Sequence, residues 1–487
     1  MFIIFTASSR FRWAFCQLEA LRHCLAPRVR HMLNELPKTL DETYERILRD
    51  INKANRDLAR RLLQCLTVAV RPLRVAELAE VLAVDFGTAY HGKPSRLNTE
   101  WRWEDQQEAV LSTCSSLISV MDEEGSQVVQ FSHYSVKEFL TSSRIVDSSA
   151  DLSAFHILLE PAHTVLAEAC LVILLQLGEL VEKDNVTDKF PLARYAAEHW
   201  VDHARIENVS SHVREEMDDI FDPDKPHFAA WLHVHDIDTD PLRGSPLYLF
   251  ASSCYKISNQ ANPLYYAALC GFHDVAEQLI IKHPQQVHAT GGYFILPLAA
   301  ALRGGHFKIA QMLYERGANV DVQSGNNYTP LFSASSSGHI EIVQWLLSRQ
   351  ANPNYRGESD GWASLHVAAC FGHVLVARLL LQYKADIDAH DSQGRTPLHV
   401  AVQYRHVSVA RMLLEHGADV NAQDNTRYTP LIGAVERREL EIVRLLVKHG
   451  ANTDAEDSRG WSAFQVASQR GYYDIAKILS GPGKCCK

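Results

Sequence analysis

No GxxxxGK[ST] string occurs in the 487 residues of the chain. The nearest approach, His91-Gly92-Lys93-Pro94-Ser95, has Gly87 at the first-glycine spacing but places proline after lysine, where the motif needs Ser or Thr. It cannot offer the row of backbone N–H groups that cradles phosphates, so no ATP or GTP cofactor is expected. Metal chemistry has as little support. The ten cysteines stand singly until Cys485-Cys486, with no pair of CxxC motifs, which excludes a zinc ribbon or a small disulfide scaffold. Scattered thiols suit a reducing compartment, hence a cytoplasmic location. The longest apolar stretch, residues 162–181, is broken by Glu168, Gln176 and Glu179 and reads as a buried helix rather than a membrane span. The opening Met1-Phe2-Ile3-Ile4-Phe5 is too short for a signal h-region.

A basic platform is also missing. Residues 1–150 carry 19 Lys+Arg against 19 Asp+Glu, residues 262–480 carry 19 against 20, and residues 151–261 carry 8 against 19. Most of the net charge of −10 therefore sits in the middle of the chain, and nucleic acid is not the expected partner.

What the chain has is repetition. The phrase Thr396-Pro397-Leu398-His399-Val400-Ala401 returns as Thr429-Pro430-Leu431 and Thr329-Pro330-Leu331. Weaker copies open at Asn262-Pro263-Leu264, Leu296-Pro297-Leu298, Ala363-Ser364-Leu365 and Ser462-Ala463-Phe464, seven in all at steps of 33 or 34 residues. A second phrase keeps pace: Gly317-Ala318-Asn319, Gln350-Ala351-Asn352, Lys384-Ala385-Asp386, Gly417-Ala418-Asp419 and Gly450-Ala451-Asn452. A fixed period of this size means stacked supersecondary units. Threonine is a helix N-cap type, and proline tolerates the first helical turn because its missing N–H is an orphan there anyway. Leu398, Ala401, Val409, Leu413 and Leu414 supply apolar faces for two short helices. Gly417 suits the left-handed cap that ends the second, and residues 419–428 form an extended finger to the next unit. These residues resemble ankyrin repeats, which implies a solenoid over 256–480 followed by a short tail, 481–487.

The first half reads as helices at 11–35, broken near Ala26-Pro27, then at 40–51 with Thr39 as cap, 60–70, 76–84 and 108–117. Alternating segments at 117–121 and 127–132 flank a turn at 122–126. Helices followed by a two-stranded wing predict a winged-helix-like domain over 37–145, after a helical remnant at 1–36 and before an acidic helical domain at 146–255. The fold class is mostly α. Leu36-Pro37-Lys38-Thr39-Leu40, Phe131-Ser132-His133-Tyr134-Ser135-Val136-Lys137 and Pro191-Leu192-Ala193-Arg194-Tyr195 resemble segments of fungal NACHT-type signalling proteins. In that group an NTPase core precedes such segments and ankyrin repeats follow them. The resemblance implies a signalling scaffold or adaptor, or the recognition part of an NTPase protein.

Candidate reactive clusters carry little. His199 and His203 lie four apart with Glu198 alongside, but not in the H-E-x-x-H order of zincins. His233, His235 and Asp236 alternate in an extended-looking stretch. Ser132, His133 and Ser135 crowd in sequence, whereas a nucleophile site is defined by converging geometry. The predicted recognition helix, 103–117, carries Glu104, Asp105 and Glu108 and no Lys or Arg, which disfavours the alternative of a nucleic-acid-binding regulator.

The repeat surface offers more. Tyr328, Trp362, Arg395, Tyr428 and Trp461 recur at the base of successive fingers, where they are expected to face a groove. Phe371, Tyr404 and Arg437 at the ends of first helices join them. Tyr, Trp and Arg are the types enriched at interface hot spots. The expected function is non-enzymatic recognition of a protein partner along this groove, with no catalytic residue, metal or small-molecule substrate.

Overall fold

The structure, a computed structural model, describes residues 39–87, 95–114, 116–123, 125–146, 149–178, 186–237, 262–290, 296–321, 329–357 and 360–480. The chain divides into two compact units, 1–237 and 238–487. The helices expected at 11–35 lie outside the described residues.

In the first unit, helix α1 (Leu40–Asp50) starts at Thr39, whose Oγ1 accepts the Glu42 N–H at 3.1 Å. Helix α2 (Arg56–Val68), strand β1 (Leu73–Arg74) and helix α3 (Val75–Leu82) follow. A small ribbon of β2 (Val84–Asp85) and β3 (Arg96–Leu97) leads to helix α4 (Gln106–Cys114) and the hairpin of β4 (Ile118–Glu123) and β5 (Ser126–Phe131). The hairpin pairs Ile118 with Phe131 and Glu123 with Ser126. The expected two-stranded wing has a third strand, because β1 pairs with β5 through Leu73↔Val129. Two residues are too few to show an alternating pattern, so only the tertiary pairing reveals β1.

Helix α5 (Tyr134–Leu140) is capped by His133, whose Nδ1 accepts the Ser135 N–H at 3.3 Å. Ser135 Oγ meets Tyr44 Oη at 2.8 Å, so the crowded serines and histidine tie α1 to α5. Helix α6 (Leu159–Leu175) is apolar nearly all round and buries Leu166, Cys170, Leu171 and Leu174. It lies against α2 and against helix α7 (Ala193–Ala204). Trp200, Phe221, Phe228 and Trp231 stack edge-on or tilted beneath α7, with ring centroids 5.1–6.1 Å apart. His233 sits in a helix, His227–Val234, rather than in the expected extended stretch; Phe228 and Trp231, three apart, set a helical period.

Two buried carboxylates on α3 fasten this unit. Glu77 accepts from both Nη atoms of Arg71, at 2.9 and 2.7 Å, and from the Arg74 N–H at 2.7 Å. Glu80 accepts from Arg102 and from the Leu192 N–H at 2.7 Å. Residues on both sides of 145/146 therefore belong to one unit.

The second unit is seven helix–turn–helix repeats. Their first helices are Pro263–Cys270, Pro297–Arg303, Pro330–Ser337, Ser364–Phe371, Pro397–Gln403, Pro430–Glu436 and Ala463–Gln469. Their second helices run from His273–Lys282 to Tyr473–Leu479. Thr329, Thr396 and Thr429 accept from the backbone three residues on, as N-cap threonines do. In the fingers, Asp391, Asp424 and Asp457 each accept from backbone N–H groups two and four residues ahead, at 2.8–3.0 Å. Outside, short polar residues relay from repeat to repeat: Asp386 N–H to Asn354, Asp419 N–H to Asp388, Asn452 N–H to Asn421.

One carbonyl per repeat, near the end of each first helix, is bonded from the next repeat. Leu269, Ser336 and Cys370 receive His306, His373 and His406 Nε2 at 3.2, 3.1 and 2.8 Å. Arg303 receives Ser337 Oγ at 3.3 Å. Gln403 and Glu436 receive Arg437 Nε and Arg470 Nη1 at 3.1 and 3.0 Å. Nearest-neighbour clasps of this kind are how a solenoid holds units that cannot bury their faces alone.

Candidate partner-binding groove

Fingers and first helices of repeats five and six enclose an open cleft of about 360 Å³. Arg395 and Tyr428 enter it from the finger bases, and Gln403, Glu436 and Arg437 from the helix ends. Each finger base reaches eight residues ahead along its own repeat. Arg395 Nη1 donates to Gln403 Oε1 at 3.1 Å, and Tyr428 Oη donates to Glu436 at 2.7 Å. Arg395 is also held by Asp391 at 2.7 and 2.8 Å. Its guanidinium is thus fixed before any ligand arrives, which lowers the entropy lost on binding.

The expected lining residues divide. Arg395, Tyr428 and Arg437 share the cleft. Tyr404 and Trp461 are half-buried, Tyr404 beside Cys370. Phe371 is half-buried and stacks on His373 with centroids 6.0 Å apart. Tyr328 lies outside the described residues. Trp362 does not line the groove: it is 1% exposed. Its ring stacks on His366 at 6.0 Å, and the Arg395 guanidinium lies 6.0 Å from its centroid. Repeat four lacks the Thr-Pro opening, and its large apolar ring packs inward under the next finger, where burial is worth more than exposure.

Burial sets the titration behaviour here. The Tyr404 phenol and the Cys370 thiol are both pushed up to about 12, chiefly by desolvation. Burial also raises Tyr428, and its hydrogen bond to Glu436 adds to this. His366 is lowered to about 4, mainly by burial. Its Nδ1 accepts the Ala363 N–H at 3.2 Å and its Nε2 donates to Arg395 O at 3.1 Å. None of these groups is poised for proton transfer near neutral pH.

A feature invisible to motif reading joins successive repeats. Gly338 has φ 77°, and a Cβ there would come 2.7 Å from the His373 ring of the next repeat. Gly271, Gly305 and Gly372 face His306, His339 and His406 in the same way. At the next two joints both partners change. Arg405 (φ 65°) meets Glu439 at 3.1 Å, and Arg438 (φ 58°) lies 5.2 Å from the Tyr472 ring centroid. Arg427 (φ 60°) likewise replaces the fingertip glycine of Gly361, Gly394 and Gly460. An L-residue in this conformation costs roughly 1–2 kcal/mol. The paired exchange is legible only after repeats are aligned joint by joint.

The remaining candidates are structural. His203 is fully buried, with Nε2 2.9 Å from Tyr195 Oη and Nδ1 2.9 Å from His163 Nδ1. Tyr195 Oη also accepts the Val70 N–H at 3.2 Å. His199 instead turns to Asp202 at 3.3 Å, so the two histidines do not converge on a metal. Gly357-Glu358-Ser359-Asp360-Gly361 has the G-x-S-x-G spacing of a hydrolase elbow. That elbow requires a strand-to-helix turn, whereas here the Gly357 N–H bonds Trp362 O across a finger hairpin. Helix α4 presents Gln106, Gln107 and Glu108 to solvent. Among the described residues no helix is long and apolar enough to cross a membrane.

Comparison with known proteins agrees with this architecture. Residues 264–357 and 351–424 match a family described as ankyrin repeats (3 copies), and residues 413–467 one described as ankyrin repeats (many copies). Residues 45–154 match the winged helix domain of GPI inositol-deacylase. The chain is 34% identical over 257 residues to azaphilone pigments biosynthesis cluster protein L of Monascus ruber, a match covering 51% of each protein. It thus spans about half the length of that curated relative. The crystal structure of the human ASB11 ankyrin repeat domain is similar at 31% identity, with a TM-score of 0.42, covering 46% of this chain and 99% of that one. The protein is mostly helical, with a winged helix domain followed by ankyrin repeats. Such repeats point to a protein–protein interaction scaffold.

Proposed function

We propose that the protein is a non-enzymatic, cytoplasmic scaffold or adaptor that holds a protein partner in the groove of repeats five to seven. The observation that carries this reading is the convergence of Arg395, Tyr428 and Arg437 on one open cleft, two of them pinned by neighbours in their own repeat. Tyr and Arg presented with little rotamer freedom are the side chains from which interface hot spots are built. The winged helix domain, with its acid-bearing helix α4, acts as a structural base rather than as a nucleic-acid reader. Its order ahead of ankyrin repeats supports a place among NACHT-type fungal signalling proteins, as the recognition portion.

A photo-crosslinking residue tests the groove. Placed at Gln403 or Thr426, it should trap a protein partner; placed at Glu415 on a second helix, it should not. Trapping at the groove should fall when Tyr428 and Arg437 are both changed to Ala. Equal trapping from both faces, or trapping indifferent to those changes, overturns the proposal.

A further inference from the structure

Repeats five to seven differ from the first four in what their groove side offers. At the three closing positions of the first helices, the first four repeats show Leu269-Cys270-Gly271, Arg303-Gly304-Gly305, Ser336-Ser337-Gly338 and Cys370-Phe371-Gly372. The next three show Gln403-Tyr404-Arg405, Glu436-Arg437-Arg438 and Gln469-Arg470-Gly471. The clasp to the preceding carbonyl changes with them, from His or Ser to Arg. Holding the repeats together does not require this, since His and Ser do so at the earlier joints. Nor does the backbone favour it: Arg405, Arg427 and Arg438 occupy left-handed positions that glycine fills elsewhere. Gln350 and Lys384 share that backbone after second helices.

Carboxylates are present on the same side, but they are engaged. Asp391 binds Arg395, and Asp457 binds Arg459. Asp424 Oδ1 accepts from Thr426 and Tyr428. Glu436 takes Tyr428, Arg459 and Arg470, and Glu439 takes Arg405. Arg395, inside the cleft, is 11% exposed, but other arginines stay outward: Arg405 and Arg459 are 63% and 59% exposed, and Arg427 and Arg438 are exposed as well. The outward arginines therefore leave a surface that presents N–H donors, because each guanidinium carries five and the neighbouring acids are already hydrogen-bonded. Within residues 385–439 the fingers and first-helix ends contribute five arginines, Arg395, Arg405, Arg427, Arg437 and Arg438, and no lysine. The planar fork of arginine matches a carboxylate with two parallel hydrogen bonds, which the point charge of lysine cannot do.

We infer that the groove of repeats five to seven recognises an acidic peptide segment of its partner, through Asp or Glu carboxylates seated on these arginines. This rests on the groove reading and specifies its ligand. Polynucleotide is the poorer fit, because the unit as a whole carries no excess positive charge to neutralise a run of phosphates.

The test uses the full chain and a displayed library of random peptides, with the triple variant Arg405→Gly, Arg427→Gly, Arg438→Gly as comparison. Glycine is what sister repeats carry at these sites, so the variant should melt no lower than the parent. Peptides selected on the parent should be enriched in Asp and Glu. Their affinity for the triple variant should fall at least about tenfold, with recovery of only part of the loss in the matching Arg→Lys triple. Selected peptides without acidic enrichment that still require Tyr428 and Arg437 would overturn this inference and leave the groove reading standing. Peptides indifferent to every groove change, or no groove-dependent peptide at all, would overturn both. Single-stranded DNA that binds the parent more tightly than the peptides, and loses affinity in the triple variant, would also overturn it.

Discussion

Helix α3 of the first unit and the joints of the solenoid both bury hydrogen-bonding groups, but they find partners at very different distances along the chain. In the first unit, Glu80 reaches Leu192, Tyr195 reaches Val70 and Tyr44 reaches Ser135. Each contact is unique and spans about a hundred residues. In the solenoid the same carbonyl is bonded six times over, always from the adjacent repeat. Damage should therefore spread through the whole of the first unit, and stay within a repeat or two in the second.

The sharpest way to break that contrast is Trp362→Ala. Emptying so large a buried site should cost about 3–5 kcal/mol, with hydrogen exchange accelerated in repeats three to five and unchanged across 39–237. Acceleration in the first unit would show that damage is not local. Glu77→Ala should act in the reverse manner. It strips Arg71 and the Arg74 N–H of their buried partner, at a cost of about 3 kcal/mol. Exchange should rise together from α2 to α7, with the repeats unaffected.

Acid should loosen both units through histidines that burial keeps neutral. His203 and His366 are each lowered to about 4. A folded value below the unfolded one means the contribution is complete above about pH 6.5 and is lost as pH falls towards 4, at roughly 1.4 kcal/mol per pH unit for each group. Protonating His366 turns its Nδ1 into a donor facing the Ala363 N–H. His366→Gln should flatten the acid limb of repeats four and five, seen by exchange at stepped pH, and leave that of the first unit intact. A smaller effect has the opposite sign. Arg438→Gly should stabilise the last repeats by about 1 kcal/mol in denaturant melts, since it relieves left-handed strain. Least of all, Arg411→Ala, which breaks an exposed pair with Glu441, should change stability by under about 0.5 kcal/mol.

How much could be read in advance also follows this contrast. Thr396, Thr429 and Thr39 cap helices as their residue type and position require, because capping is local. Strand β1 was out of reach, since two residues acquire strand character only from β5 alongside. Arg395 and Tyr428 meet in the cleft because period alone brings equivalent finger-base positions onto one wall, and Arg437 joins them from a first-helix end. Trp362 shares their register yet turns inward, since only the neighbouring finger and His366 offer its ring a place to pack.

By itself, the sequence determined the number of repeats and where the capped first helices start, because these depend on spacing and on groups a few residues apart. Tertiary structure alone decided which wide side chains are buried, which carboxylates are already occupied by arginine, and how Gly–His joints give way to Arg–Glu and Arg–Tyr. Those outcomes depend on what lies opposite, a repeat or a hundred residues away, and no local pattern records it.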